Sequence, residues 1–124
     1  MGVEKTLLKA GNGTDKPKKG DTVTMEYTGW LYDTSKPENK GKQFDSSVGR
    51  GDFNTKIGVG RVIRGWDEGI LGNEQNEGMT LGEKSRLVIS GDYAYGERGY
   101  PGLIPANATL MFDVELKAIN GKGL

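Results

Sequence analysis

With 17 basic and 17 acidic side chains in 124 residues, the chain carries no formal net charge and fits one domain with a single modest core, and it has no electrostatic footprint for nucleic acid. It contains neither cysteine nor histidine, which excludes disulfides, thiol nucleophiles, thiolate or imidazole metal sites and any Ser-His-Asp arrangement. The missing cysteine suits a reducing compartment, and acid–base work near neutral pH would fall to a perturbed carboxylate, lysine or tyrosine.

From the N-terminus, Met1-Gly2-Val3-Glu4-Lys5-Thr6 lacks the apolar core of a signal peptide. It loosely spells a myristoylation pattern, to which Glu4-Lys5 lends no support. Val3 to Lys9 reads as an edge strand, and Gly11-Asn12-Gly13-Thr14-Asp15 is turn chemistry. Thr22 to Trp30 alternates, with Val23, Met25 and Tyr27 on one face and Thr24, Glu26 and Thr28 on the other, which predicts a half-buried strand. Thr34 to Lys42 is a polar loop, and Arg50-Gly51-Asp52 is a chance turn. Gly58-Val59-Gly60 is spelled like part of a dinucleotide fingerprint, but the next glycine, Gly65, comes too late; a bend before a helix is the reading that survives. Ile63, Trp66 and Ile70 share one side of a short helix over Ile63 to Leu71, with Asp67 and Glu68 in its first turn. Gly72 to Gly78 is a second polar loop. Ser85 to Ser90 alternates weakly, with Leu87 and Ile89 inward. Thr109 to Ile119 alternates best, with Leu110, Phe112, Val114 and Leu116 against Met111, Asp113, Glu115 and Lys117. Asn12-Gly13-Thr14 and Asn107-Ala108-Thr109 are glycosylation sequons that stay idle without export. No apolar run approaches the roughly 20 residues of a membrane span. These elements predict an α+β fold, an antiparallel sheet of about five strands packed on one short helix, with no repeat or linker.

Two stretches carry the functional signal. Tyr93-Ala94-Tyr95-Gly96 with Pro101-Gly102-Leu103-Ile104-Pro105, and Val62-Ile63-Arg64-Gly65-Trp66-Asp67-Glu68-Gly69, offer large apolar groups and few ionisable ones. That composition lines a pocket for an apolar or proline-like group and suits no nucleophile, metal or phosphate. Tyr27, Phe44, Phe53, Trp66, Tyr93, Tyr95, Tyr100 and Phe112 each read singly as core. A domain this small, however, cannot bury all of them behind one sheet and one helix without some lining a cleft. Asp45, opening Asp45-Ser46-Ser47, reads equally as a turn or cap residue and as a functional one.

Tyr27-Thr28-Gly29, Phe44-Asp45-Ser46-Ser47, Val62-Ile63-Arg64-Gly65-Trp66, Asp92-Tyr93-Ala94-Tyr95-Gly96, Pro101-Gly102-Leu103-Ile104-Pro105 and Phe112-Asp113-Val114-Glu115-Leu116 closely resemble the FKBP-type peptidyl-prolyl isomerases, small single-domain immunophilins. The match runs in order from about Val3 to Ile119. The resemblance implies a five-stranded antiparallel sheet curled around one short helix, a single domain over residues 1–124, and polar insertions at about 34–42 and 72–78. It implies a pocket lined by Tyr27, Phe44, Asp45, Phe53, Val62, Ile63, Trp66, Tyr95, Ile104 and Phe112, floored by Trp66, with Tyr100 and Leu103 on the loop beside it. Polar contacts would come from the Tyr95 hydroxyl, the Ile63 N–H and the Asp45 carboxylate, making Asp45, Tyr95, Ile63 and Trp66 the catalytic set. Departures are Thr55 where close relatives often carry phenylalanine, Tyr100 for a common histidine and Leu103 for a common isoleucine.

The implied activity is rotation about Xaa-Pro bonds of polypeptides, assisting folding, without a cofactor or metal. The resemblance also implies binding of the macrolides tacrolimus and rapamycin, and drug-dependent complexes with the phosphatase calcineurin or the kinase TOR. A cytoplasmic monomer without nucleic-acid or membrane partners is the implied setting. Two other readings stay open: a non-catalytic module regulating a Pro-containing partner through the same pocket, and a structural domain whose aromatics are wholly buried.

Overall fold

Alternation along the longest strands decides what the sheet buries. Val23, Met25, Leu110, Val114 and Leu116 are wholly shielded, and Phe112 nearly so. The structure, a computed structural model, describes residues 2–124. Its elements are β1 (Val3–Lys9), β2 (Thr22–Tyr32), β3 (Lys40–Ser46), β4 (Phe53–Lys56), α1 (Arg64–Leu71), β5 (Lys84–Ile89) and β6 (Leu110–Ile119), with single 3-10 turns at Pro37–Asn39, Gly91–Tyr93 and Gly96–Arg98. The sheet is antiparallel in the order β1-β5-β6-β2-β3, and β4 also pairs with β2. Because β3 runs beside Thr28 to Tyr32 and β4 beside Thr22 to Met25, the two share one edge. The expected five positions are present, with the last divided into two strands.

Neither β3 nor β4 shows an alternating apolar face, and Lys40 to Lys42, placed in a polar loop by sequence, belongs to β3. These segments are held by backbone pairing at the edge of β2, which needs no buried side-chain stripe. The β2–β3 connection closes through the Asp33 N–H donating to the Asn39 carbonyl at 3.0 Å, with Glu38 and Asn39 both left-handed. The loop over 72–78 is irregular, as expected, and it caps the free edge of β1. The Lys5 N–H donates to Asn76 Oδ1 at 3.1 Å, and Asn76 Nδ2 donates to the Val3 carbonyl at 2.8 Å.

The helix starts one residue later than expected, with Ile63 as its N-cap, so only Asp67 lies in the first turn. Glu68 instead accepts from Asn73 Nδ2 and Arg64 Nε, and these bonds lower its pKa. The buried face comprises Gly65, Trp66, Gly69 and Ile70. A Cβ at Gly65 would collide with the Ile89 side chain, so a glycine there lets α1 lie close against β5. Ile57, Ile70, Met79, Leu87 and Ile89 complete the core between sheet and helix. Met111 departs from its expected wet face: it is only 1% exposed, in register with Trp30 on one side and Val88 on the other. No helix among the described residues is long and apolar enough to cross a membrane.

Candidate active site

A cavity of about 390 Å³ opens over Trp66, within the range of small-molecule and peptide pockets. It is lined by Tyr27 of β2, Phe44 and Asp45 of β3, Phe53 of β4, Arg61, Val62 and Ile63 from the loop before α1, Trp66 of α1, Tyr95 from the loop after β5, and Phe112 of β6. The sheet supplies one wall and the loops the others.

Consecutive strand residues point to opposite faces, yet Phe44 and Asp45 both face this cavity. The register gives the reason: Gly29 pairs with Asp45 and Trp30 with Gln43, leaving Phe44 as the extra residue of a bulge. Gly29 is equally necessary, since a Cβ there would lie 2.8 Å from Phe44 Cζ and 2.7 Å from Phe112 Cε1. The Phe44 and Phe112 rings meet edge-to-face at 5.5 Å in the space it vacates.

Trp66 is the hub of the aromatic wall. It packs edge-to-face against Tyr27 at 5.0 Å, Phe112 at 5.3 Å and Phe53 at 5.9 Å. Among the described residues, its Nε1 is the one buried side-chain nitrogen or oxygen without a hydrogen-bond partner. A dry, unpaired N–H costs roughly 1–3 kcal/mol, so the indole is placed here for its shape and apolar area.

The polar groups divide into engaged and free. Asp45 accepts three hydrogen bonds: from the Tyr27 hydroxyl at 2.7 Å, Arg50 Nη2 at 2.7 Å and the Ser46 N–H at 2.8 Å. Burial, and then the hydrogen bond to Asp45, push the Tyr27 hydroxyl up to about 12. The Tyr95 hydroxyl is raised by burial first and by the Asp45 charge second, and the ring packs edge-to-face on Tyr100 at 6.0 Å. Besides Trp66 Nε1, the donors of the lining with no acceptor among the described residues include the Tyr95 hydroxyl and the Ile63 N–H. An apolar cup with two unspent donors at its rim suits a ligand that brings carbonyls and an apolar ring.

Nine of the residues expected at a pocket are brought together: Tyr27, Phe44, Asp45, Phe53, Val62, Ile63, Trp66, Tyr95 and Phe112. Three are not among the lining. Ile104 is buried in the core at 5% exposure, its N–H bonded to the Tyr100 carbonyl, while Tyr100 and Leu103 lie exposed on the loop beyond Tyr95. Thr55 faces Val23 across β4 and β2 and does not line the cavity. Arg61 was missed by sequence reasoning. It adjoins Val62 and Ile63, but its glycine-rich approach reads in sequence only as a bend before the helix.

Residues 13–117 match the family model for FKBP-type peptidyl-prolyl cis-trans isomerase. The chain is 56% identical to FK506-binding protein 1B of Aspergillus fumigatus, over 100% of this chain and 99% of that one. It is 57% identical to a peptidyl-prolyl cis-trans isomerase of Schizosaccharomyces pombe, over 98% of each. The crystal structure of AtFKBP13 superposes with a TM-score of 0.82 at 37% identity, covering 98% of this chain and 93% of that one. By sequence and by fold, the chain belongs to the FKBP-type peptidyl-prolyl cis-trans isomerases.

Proposed function

We propose that the cavity over Trp66 binds the proline of an Xaa-Pro segment and lowers the barrier to rotation about its peptide bond. Uncatalysed, that rotation faces roughly 18–20 kcal/mol and takes tens to hundreds of seconds. No bond forms or breaks, so no nucleophile is needed. A planar amide owes its polarity to resonance, and twisting removes it, leaving a less polar carbonyl and a pyramidal nitrogen. An apolar cup therefore disfavours the planar state relative to the twisted one, which is selective transition-state binding. Phe53, Val62, Ile63, Trp66 and Phe112 enclose the ring in this scheme. The Ile63 N–H and the Tyr95 hydroxyl bind substrate carbonyls, and Asp45 acts on the rotating carbonyl through its charge. Asp45 makes no proton transfer, because rotation requires none.

The observation that carries this reading is the pairing of an apolar, tryptophan-floored cup with two unspent donors. The same cup gives the basis for proposing that tacrolimus and rapamycin compete with substrate, in keeping with the FK506-binding names of close relatives. Drug-dependent complexes with calcineurin or TOR, a cytoplasmic setting, a monomeric state and a role in assisting folding complete the proposal. The test is a rapamycin titration followed by tryptophan fluorescence beside turnover of a Leu-Pro peptide. Trp66 reports from the floor, while Trp30, with Lys40 Nζ 4.5 Å above its ring, gives a constant background. Turnover should fall as the Trp66 signal saturates, and Tyr95→Phe should weaken the drug by about 0.5–1.5 kcal/mol for one lost hydrogen bond. Full turnover with the drug bound would overturn the shared-cavity reading.

A further inference from the structure

Arg61 is the one cation lining the cavity, and nothing among the described residues neutralises it. It is exposed, and it makes no ion pair or side-chain hydrogen bond among the described residues. Both acids that might have claimed it are occupied. Asp45, the one other charged lining residue, is engaged by Arg50, Tyr27 and the Ser46 N–H. Asp67, six positions on in the helix, accepts from the Gly58 N–H at 2.7 Å and the Gly60 N–H at 3.2 Å. Those two bonds brace the bend that carries Arg61, so the acid nearest in the chain fixes the loop and leaves the guanidinium free. Arg64, the next cation along, is paired with Glu68 and lies over the Tyr93 ring at 4.0 Å. The loop therefore presents to the aromatic cup one positive charge that no acid among the described residues pairs.

We infer that Arg61 is a specificity-determining residue that favours prolines flanked by an acidic side chain. The inference rests on the cavity over Trp66 being where the proline binds. Arg61 immediately precedes Val62 and Ile63, two of the residues proposed to hold the proline ring and a neighbouring carbonyl. A side chain adjacent to a bound proline lies within a few bonds of the guanidinium, and a carboxylate there meets a planar, permanently charged fork with all its donors available. The site is wet, so the effect is that of a solvated ion pair at contact distance, about fivefold in turnover, and it is screened by salt.

The experiment measures kcat/KM by NMR exchange, which needs no coupling protease, on peptides identical except for Leu or Glu before the proline, or Leu or Glu after it. Wild type, Arg61→Gln, Arg61→Lys and Phe53→Ala are compared at low and high salt. For at least one flanking position, the Glu-to-Leu ratio should fall about fivefold in Arg61→Gln, be largely kept in Arg61→Lys, and lose its dependence on Arg61 at high salt. Phe53→Ala should lower turnover of every peptide without changing the ratio. If Phe53→Ala lowers turnover but the ratio is the same in wild type and Arg61→Gln, the role of Arg61 is overturned alone. If Phe53→Ala leaves every rate at the wild-type value, the cavity is not the site and both readings are overturned.

Discussion

Tyr27 joins the hydrophobic and the charged halves of the site. Its ring packs on Trp66, Phe53 and Phe112, and its hydroxyl donates to Asp45. Burial first, and the Asp45 carboxylate second, hold that hydroxyl protonated up to about 12, against an ordinary tyrosine near 10. A folded pKa above the unfolded one means that the linked stability is complete below the unfolded value of about 10 and is lost as pH climbs through about 12. Tyrosinate absorbance, read with Tyr95 replaced by phenylalanine to remove the second raised group, should show one late step near 12. Asp45→Asn should move that step toward the ordinary value. A Tyr27 step near the ordinary tyrosine value of about 10 while the fold is intact would show that the Tyr27–Asp45 pair is not formed. At this scale, a cleft was legible because aromatic residues concentrated in short blocks exceed what a small core can hide, and the resemblance to the FKBP-type isomerases implied which residues line it. Arg61 was not, since a lone arginine beside glycines looks like any solvated loop charge. Nor was the shared orientation of Phe44 and Asp45, because a bulge leaves no mark on the spacing of apolar residues.

Among the elements, β1, β2, β5, β6 and α1 were readable, while β3 and β4, held at the edge by their backbones, were not. β2 and β6 announce themselves by alternation, and α1 by the spacing of Trp66 and Ile70. β3 has one aromatic among polar residues and β4 only four residues, so their place at the edge of β2 emerges only from pairing. The opposite edge, β1, is fixed partly by a buried ion pair. Lys5 Nζ lies 2.7 Å from Glu83 Oε2, with side-chain exposures of 10% and 6%. Burial works to raise the Glu83 pKa, but hydrogen bonds from Lys5, Ser85 and the Thr80 N–H outweigh it, and the net shift is downward. A lowered folded pKa contributes stability above the unfolded value, and that stability disappears as pH falls through the folded one. Urea melts should therefore show wild type more stable than Glu83→Gln at about pH 7, with the gap narrowing toward about pH 3. Lys5→Met should cost about 3 kcal/mol at neutral pH, because it leaves the carboxylate buried without its cation. A gap between wild type and Glu83→Gln that does not change with pH would rule out an ionised Glu83 as the anchor of β1.

Across the whole molecule, the order β1-β5-β6-β2-β3 places the last strand at the centre and the first at an edge. Val3 pairs with Ile89 and Val23 with Ile119, so the sheet joins distant parts of the chain before the cavity has a wall. Loop closure must precede most of the energetic gain, which places folding in the slow range for its size, milliseconds to seconds. Cavity residues from 44 to 66 hang on β2 and α1, and Phe112 on β6, so the site exists only after β2 and β6 have met. Val114 tests this order, being wholly buried and in register with Tyr27 on β2 and Ser85 on β5. Val114→Ala should destabilise by about 2 kcal/mol, with a φ value of about 0.5–0.8 if the meeting of β2, β5 and β6 is the rate-limiting event. Val3→Ala, at the edge, should mainly speed unfolding, because β1 docks on β5 after that event. Stopped-flow chevrons followed by the two tryptophans separate the possibilities. If Val114→Ala slows folding no more than Val3→Ala does, the central strands do not form the nucleus. Only the part of the wall made by Tyr27, Phe44 and Asp45 would then be able to form on a hairpin of β2 with β3, before β6 brings Phe112 and α1 brings Trp66.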